Sequence, residues 1–125
     1  MEYVESFREL EVYKISRQLS KVIFEITKKF SKEAMYSLTD QVRRSSRSVG
    51  AQVAEALGKR RYEKHFISKL TDADGEQLET QHWIEVALDC GYLTKQQNDD
   101  LLKQCFSIGR MIDSMTAKSS SFCKP

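Results

Sequence analysis

Arg43, Arg44 and Arg47 stand within five residues of one another, and Lys59, Arg60, Arg61 and Lys64 form a second basic group further on. Guanidinium and ammonium groups at this density suit phosphate binding, because each neutralises a backbone charge of a nucleic acid and releases its counterion. From Arg43 to Lys69 there are eight bases against two acids, a net of +6, whereas Asp72 to Asp89 carries six acids and no base. The whole chain nets only +2. The imbalance therefore lies between segments and points to a charged partner or a complementary subunit. A solvated face, salt bridges to the acidic segment of a neighbouring subunit, and a nucleic-acid surface each account for the basic set. No aromatic stacking platform or known reading motif accompanies it.

Other reactive side chains lack partners. Glu79-x-x-His82 has the spacing used in di-iron bundles, which need a second such motif and further glutamates on the other helices. Here the only other histidine, His65, falls on the same segment, and Glu79 and His82 turn away from its apolar stripe. Cys90, Cys105 and Cys123 are odd in number and have no C-x-x-C spacing, which argues against a disulfide framework or zinc knuckle. Cys90 and Cys105 fall near apolar stripes and read as small hydrophobes. No phosphate loop and no Ser-His-Asp or Cys-His set can be assembled. The expectation is a protein with no catalytic residues, no metal, no cofactor and no small-molecule substrate.

Four periodic segments must position these residues. The only proline is Pro125, and strand-like alternation is absent. Segment one, about 7–29, opens with a Ser6–Glu9 capping box and carries Val12, Ile15, Leu19, Val22, Ile26 and Phe30 on one helical face. Segment two, about 32–57, is capped by Ser31 and stopped by Gly58, with Met35, Leu38, Val42, Val49, Val53 and Ala56 inward. Segment three, about 61–90, shows Phe66, Leu70, Ala73, Ile84 and Leu88 and stops at Gly91. Segment four, about 95–117, follows a Thr94–Gln97 capping box with Leu101, Cys105, Ile108, Ile112 and Met115. Long helices with short connections bury such stripes by running antiparallel, so residues 1–117 form one all-α, up-down antiparallel four-helix bundle. Residues 118–125 read as a flexible tail. Apolar runs reach only three residues, and the first five residues carry two acids, so the chain reads as cytoplasmic and without a membrane partner.

Two further sets, one of small residues and one polar, qualify the stripes. Gly50, Ala51, Ala54 and Gly58 make a second, small-residue face on helix two, where another backbone can approach closely. A neighbour within the bundle and a subunit interface both explain glycines that cost about 1 kcal/mol each in a helix interior. Asp74, Gln77 and Gln81 face inward on helix three, and Ser45, Ser48 and Gln52 border the stripe of helix two. A hydrogen-bonded seam between helices two and three accounts for them; a polar pocket is the alternative.

Several motifs carry a family resemblance over about residues 6–116: Phe7-x-x-Leu10-x-Val12-Tyr13, then Phe30, Glu33, Tyr36 and Leu38-Thr39-x-Gln41-x-Arg43-Arg44. Ser48-Val49, Val53-Ala54-Glu55 and Gly91-Tyr92-Leu93 complete the set. Together they resemble the family of four-helix-bundle proteins encoded in intervening sequences of bacterial 23S ribosomal RNA genes. The resemblance implies a left-handed bundle, assembly as a ring-like homopentamer, and a link to RNA or DNA without an established activity. A similar bundle accompanies the reverse transcriptase of diversity-generating retroelements and binds nucleic acid there. Ser31 replaces a common proline of the family, and in helix two Gly50, Gln52 and Ala56 replace its proline, asparagine and glycine. The reading is a non-enzymatic homo-oligomer that binds nucleic acid through Arg43, Arg44, Arg47, Lys59, Arg60, Arg61 and Lys64. The alternative is a protein–protein scaffold in which the same charges make subunit contacts.

Overall fold

A computed structural model describes residues 3–124. Four long helices dominate: α1 (Glu11–Thr27), α2 (Asp40–Gly58), α3 (Glu63–Asp89) and α4 (Lys95–Ala117), followed by a short α5 (Ser119–Cys123). Each long helix packs on the next, and α4 closes back on α1. The result is the up-down four-helix bundle that the periodicity requires.

The α4 stripe is buried as its spacing predicts: Leu101, Cys105, Ile108, Ile112 and Met115 all face the core. Its capping box is complete, with the Gln97 amide donating to Thr94 Oγ1 at 3.1 Å and the Thr94 amide donating to Gln97 Oε1 at 2.9 Å. Gly91, at φ +80°, provides the left-handed turn between α3 and α4. Gly58 does not play that part. It is the last residue of α2, no φ there is positive, and the Lys59 amide closes the helix on Glu55 and Ala56.

Helix α1 is turned relative to its expected stripe. The buried line is Val12, Ser16, Leu19, Ile23 and Thr27, whereas Ile15, Val22 and Ile26 are only half-buried. Two polar residues enter the core because their hydroxyls bond their own helix, Ser16 to Val12 O and Thr27 to Ile23 O, both at 2.7 Å. Gly50 of α2 lies at this contact: a Cβ there would stand 3.7 Å from Ser16 and from Tyr13, an ordinary van der Waals distance.

Element ends depart from the segment boundaries for local reasons. The Ser6–Glu9 box closes a 3-10 turn, Phe7–Glu9, and the chain extends at Leu10 (φ −71°, ψ 128°) to bury that side chain before α1 starts. Segment two begins with a 3-10 turn, Lys32–Ala34, and a π turn, Met35–Thr39, so regular α2 starts at Asp40. Ser31 does not cap it; its hydroxyl is hydrogen-bonded at 2.8 Å to Tyr92, whose ring stacks on Phe30.

The expected flexible tail is a further correction as far as Lys124; Pro125 lies outside the described residues. Phe122 is buried and its ring lies against Phe66 at 5.7 Å between centroids, and Ser119 donates to Glu63. One aromatic in a row of serines suffices to dock α5 over α3. Phe122→Ala should therefore lower stability in urea denaturation by about 3 to 5 kcal/mol, the usual cost of emptying a buried aromatic site; an unchanged midpoint would return residues 118–124 to the status of a loose tail.

Candidate nucleic-acid interface

Successive residues of an α-helix point 100° apart, and that rotation separates Arg43 from Arg44. Arg43 turns toward α1. Its Nε donates to Thr27 Oγ1 at 2.7 Å, its Nη2 donates to Phe24 O at 3.4 Å, and its guanidinium lies 4.6 Å from the Phe24 ring centroid. Arg47, one turn on, sits 5.5 Å from the same ring, and Lys28 of the α1 end approaches it at 4.9 Å. Arg17 lies over Tyr13 at 5.9 Å, further along the same seam. Exposed cation–π contacts contribute about 0.5 to 1 kcal/mol each, enough to restrict these side chains. Glu25 pairs with Lys28 at 3.2 Å. Among the described residues, no carboxylate comes within ion-pair distance of Arg17, Arg43 or Arg47.

Arg44 turns the other way, onto α3. It pairs with Glu76 at 3.2 Å and with Glu79, and the Trp83 indole N–H donates to Glu79 at 3.0 Å. The Trp83 hydrogen bond, with Arg44 adding to it against the opposing effect of burial, holds the Glu79 carboxyl below the usual range; Glu79 in turn raises the Arg44 value. Lys69 makes the second bridge on this seam, to Glu55 at 2.9 Å and Gln52 at 3.1 Å. The buried contact between them joins the Ser45 and Thr80 hydroxyls at 2.8 Å. The acidic segment of helix three thus meets helix two inside one chain.

The remaining bases occupy a different place. From Arg43 to Lys59 the rise along α2 is about 24 Å, so Lys59, Arg60, Arg61 and Lys64 lie at the α2–α3 corner. Lys59, Arg61 and Lys64 are exposed. Arg60 is half-buried beneath Tyr3, 3.9 Å from its ring, and its Nη1 is enclosed without a hydrogen-bond partner. The seven expected residues therefore form two groups, with Arg44 drawn off into ion pairs.

The small-residue face also divides. Gly50 is buried against α1, Ala54 is half-buried, and Ala51 and Gly58 are exposed with no atom within 4 Å of a Cβ built on Gly58. Asp74, Gln77 and Gln81 form a hydrogen-bonded row, Gln81 to Gln77 at 2.7 Å and Gln77 to Asp74 at 2.9 Å. That row faces Gly109 of α4, where a Cβ would stand 3.1 Å from Gln77 Nε2, so it belongs to the α3–α4 seam and not to α2–α3. Glu79 is taken by Arg44 and Trp83 while His82 is exposed, and no group of three metal-ligating residues occurs among the described residues. Cys90 is exposed at the end of α3, contrary to its expected burial; Cys105 is buried, and desolvation pushes its thiol up to about 12.

Arg17, Phe24 and Lys28 were not singled out from sequence. Their spacing of seven and four residues places them on one flank of α1, yet only the position of Arg43 shows that this flank is the α2 seam. Among described residues, no helix is long and apolar enough to cross a membrane.

Comparison with known proteins adds three findings. A family model described as 23S rRNA-intervening sequence protein matches residues 8–114, from before α1 to near the end of α4. A crystal structure from Bacteroides thetaiotaomicron VPI-5482, described as a protein with unknown function from the S23 ribosomal protein family, is similar at 26% identity and a TM-score of 0.77. The match covers 85% of this chain and 95% of that one. No curated protein matches this chain.

The Glu79 contacts have a pH signature. Its lowered value means that the stabilisation is complete above the ordinary carboxylate value of 4.5 and is lost as pH falls through the folded-state value. Glu79→Gln should flatten the fall of urea-derived stability below pH 4.5; an acid limb as steep as that of the unmodified chain would show that the ion pair is not maintained.

Proposed function

The chain belongs to the 23S rRNA-intervening sequence protein family, and from that membership we propose a non-catalytic, homo-oligomeric bundle that holds nucleic acid by its phosphates along the outer α1–α2 seam. The observation that carries this reading is the convergence of Lys28, Arg43 and Arg47 on the Phe24 ring. Restrained cations lose less freedom on meeting a phosphate than free ones do, and Arg43 and Arg47 have no carboxylate partner to give up. Contacts of this kind position a backbone and carry no sequence information. The family name links these proteins to ribosomal RNA, which makes an RNA duplex the first nucleic acid to test. The exposed Ala51 and Gly58 lie on the same outer side of α2, beside Arg47, and we assign self-association to that strip.

A second reading, a scaffold whose charges hold proteins together, draws support from Arg44, which already shows a helix-two arginine bridging to helix-three acids. One titration separates the two. Anisotropy of a labelled 16-base-pair RNA duplex should give a log affinity falling against log salt with a slope of about −3 to −4, for phosphate contacts by Arg17, Lys28, Arg43 and Arg47. Arg43→Glu with Arg47→Glu should flatten that slope by about two and weaken binding at least tenfold at low salt. No binding at low salt would overturn the proposal. A double variant that binds RNA unchanged but alters the assembly mass, read as multiples of the 14.5 kDa chain, would favour the scaffold.

A further inference from the structure

On the opposite side of the bundle, two large apolar side chains stand in water. Leu78 of α3 and Phe106 of α4 are 54% and 49% exposed, far more than any residue of the stripes beneath them. The contact of Gly109 with Gln77 and Asp74 sets the register of the two helices. Leu78 follows Asp74 by four residues and Phe106 precedes Gly109 by three, so each projects from the outer flank of the α3–α4 seam. In antiparallel helices this places the two side chains within a turn of one another along the axis.

Carboxylates border them at both ends. Asp74 and Asp113 come to a similar level on one side, and Glu85 and Asp99 on the other, each about 6 to 11 Å along its helix from the apolar pair. Asp99 is paired with Lys95 at 2.9 Å. Among the described residues, Asp74, Glu85 and Asp113 make no ion pair. Arg110 and His82 border the face on its outer edges and are exposed.

An apolar pair between acidic ends selects its occupant by complementarity. Polyphosphate is repelled, and a purely charged peptide leaves Leu78 and Phe106 in water. A groove between two near-parallel helix axes accepts a third helix, whose apolar residues recur every three or four positions. We propose that the outer α3–α4 seam docks a basic amphipathic helix of a partner protein, with two apolar anchors over Leu78 and Phe106 and lysines or arginines about two turns to either side. The site is independent of the nucleic-acid reading, which concerns the α1–α2 seam.

The test uses the full chain and a labelled 16-residue helical peptide with central Leu and Phe and flanking lysines, followed by fluorescence anisotropy. Binding should saturate, weaken at least tenfold in Leu78→Ser with Phe106→Ser, and weaken severalfold in Glu85→Gln with Asp113→Asn, which keeps both apolar groups. A control peptide with glutamates in place of the lysines should bind at least tenfold more weakly. Equal binding of the two peptides, or undiminished binding by the Leu78/Phe106 variant, would overturn the proposal. So would a drop in assembly mass caused by that variant, because the occupant would then be a second copy of the chain. Displacement of the peptide by RNA duplex, with the Arg43/Arg47 variant still binding peptide but no longer showing that displacement, would place both ligands on one surface and also overturn it.

Discussion

The 100° turn between Arg43 and Arg44 organises the charge of this molecule. Helix α2 touches α1 on one side and α3 on the other, so adjacent arginines necessarily serve different seams. On the α3 side the acids of the long third helix are waiting, and Arg44 and Lys69 are neutralised there. On the α1 side the neighbours are Phe24, Thr27 and Tyr13, which hold cations without cancelling them. A bundle whose second helix was rolled by one residue would exchange these roles.

Small side chains line both of these seams. Gly50 lies against Ser16 and Tyr13 of α1, and on the α3 side Ser45 is joined to Thr80. The buried line of α1 runs through Ser16, Ile23 and Thr27, and Phe24 lies under Arg43. Gly50, expected at a contact between subunits or between helices, is thus buried within one chain, beside the basic seam.

The four helices, the Thr94 cap and the Gly91 stop were legible because each rests on local rules: periodicity, a side-chain oxygen at the right offset, a positive φ. The misplacements share a different cause. Ser16 and Thr27 look polar on a helical wheel, but a hydroxyl bonded to its own backbone is cheap to bury. Phe122 lies in a serine-rich stretch whose composition says tail, and its burial depends on Phe66, more than fifty residues earlier. The basic residues were found, yet their grouping was not, since charge counted along a chain does not reveal which seam each side chain enters. For the same reason the Gln77 row was assigned to the wrong neighbour: Gly109 gives no signal until α4 is placed against α3.

Basic charge on the α1–α2 side and acidic, partly apolar surface on the α3–α4 side make a molecule with two unlike faces, and the nucleic-acid reading depends on Arg43 having no carboxylate partner where Arg44 has two. The most direct test compares Arg43→Gln with Arg44→Gln in the salt dependence of RNA duplex binding. The slope should fall by about one for Arg43→Gln, the signature of one lost phosphate contact, and stay unchanged for Arg44→Gln. Equal losses from the two variants would contradict the division of α2 into a paired and an open side.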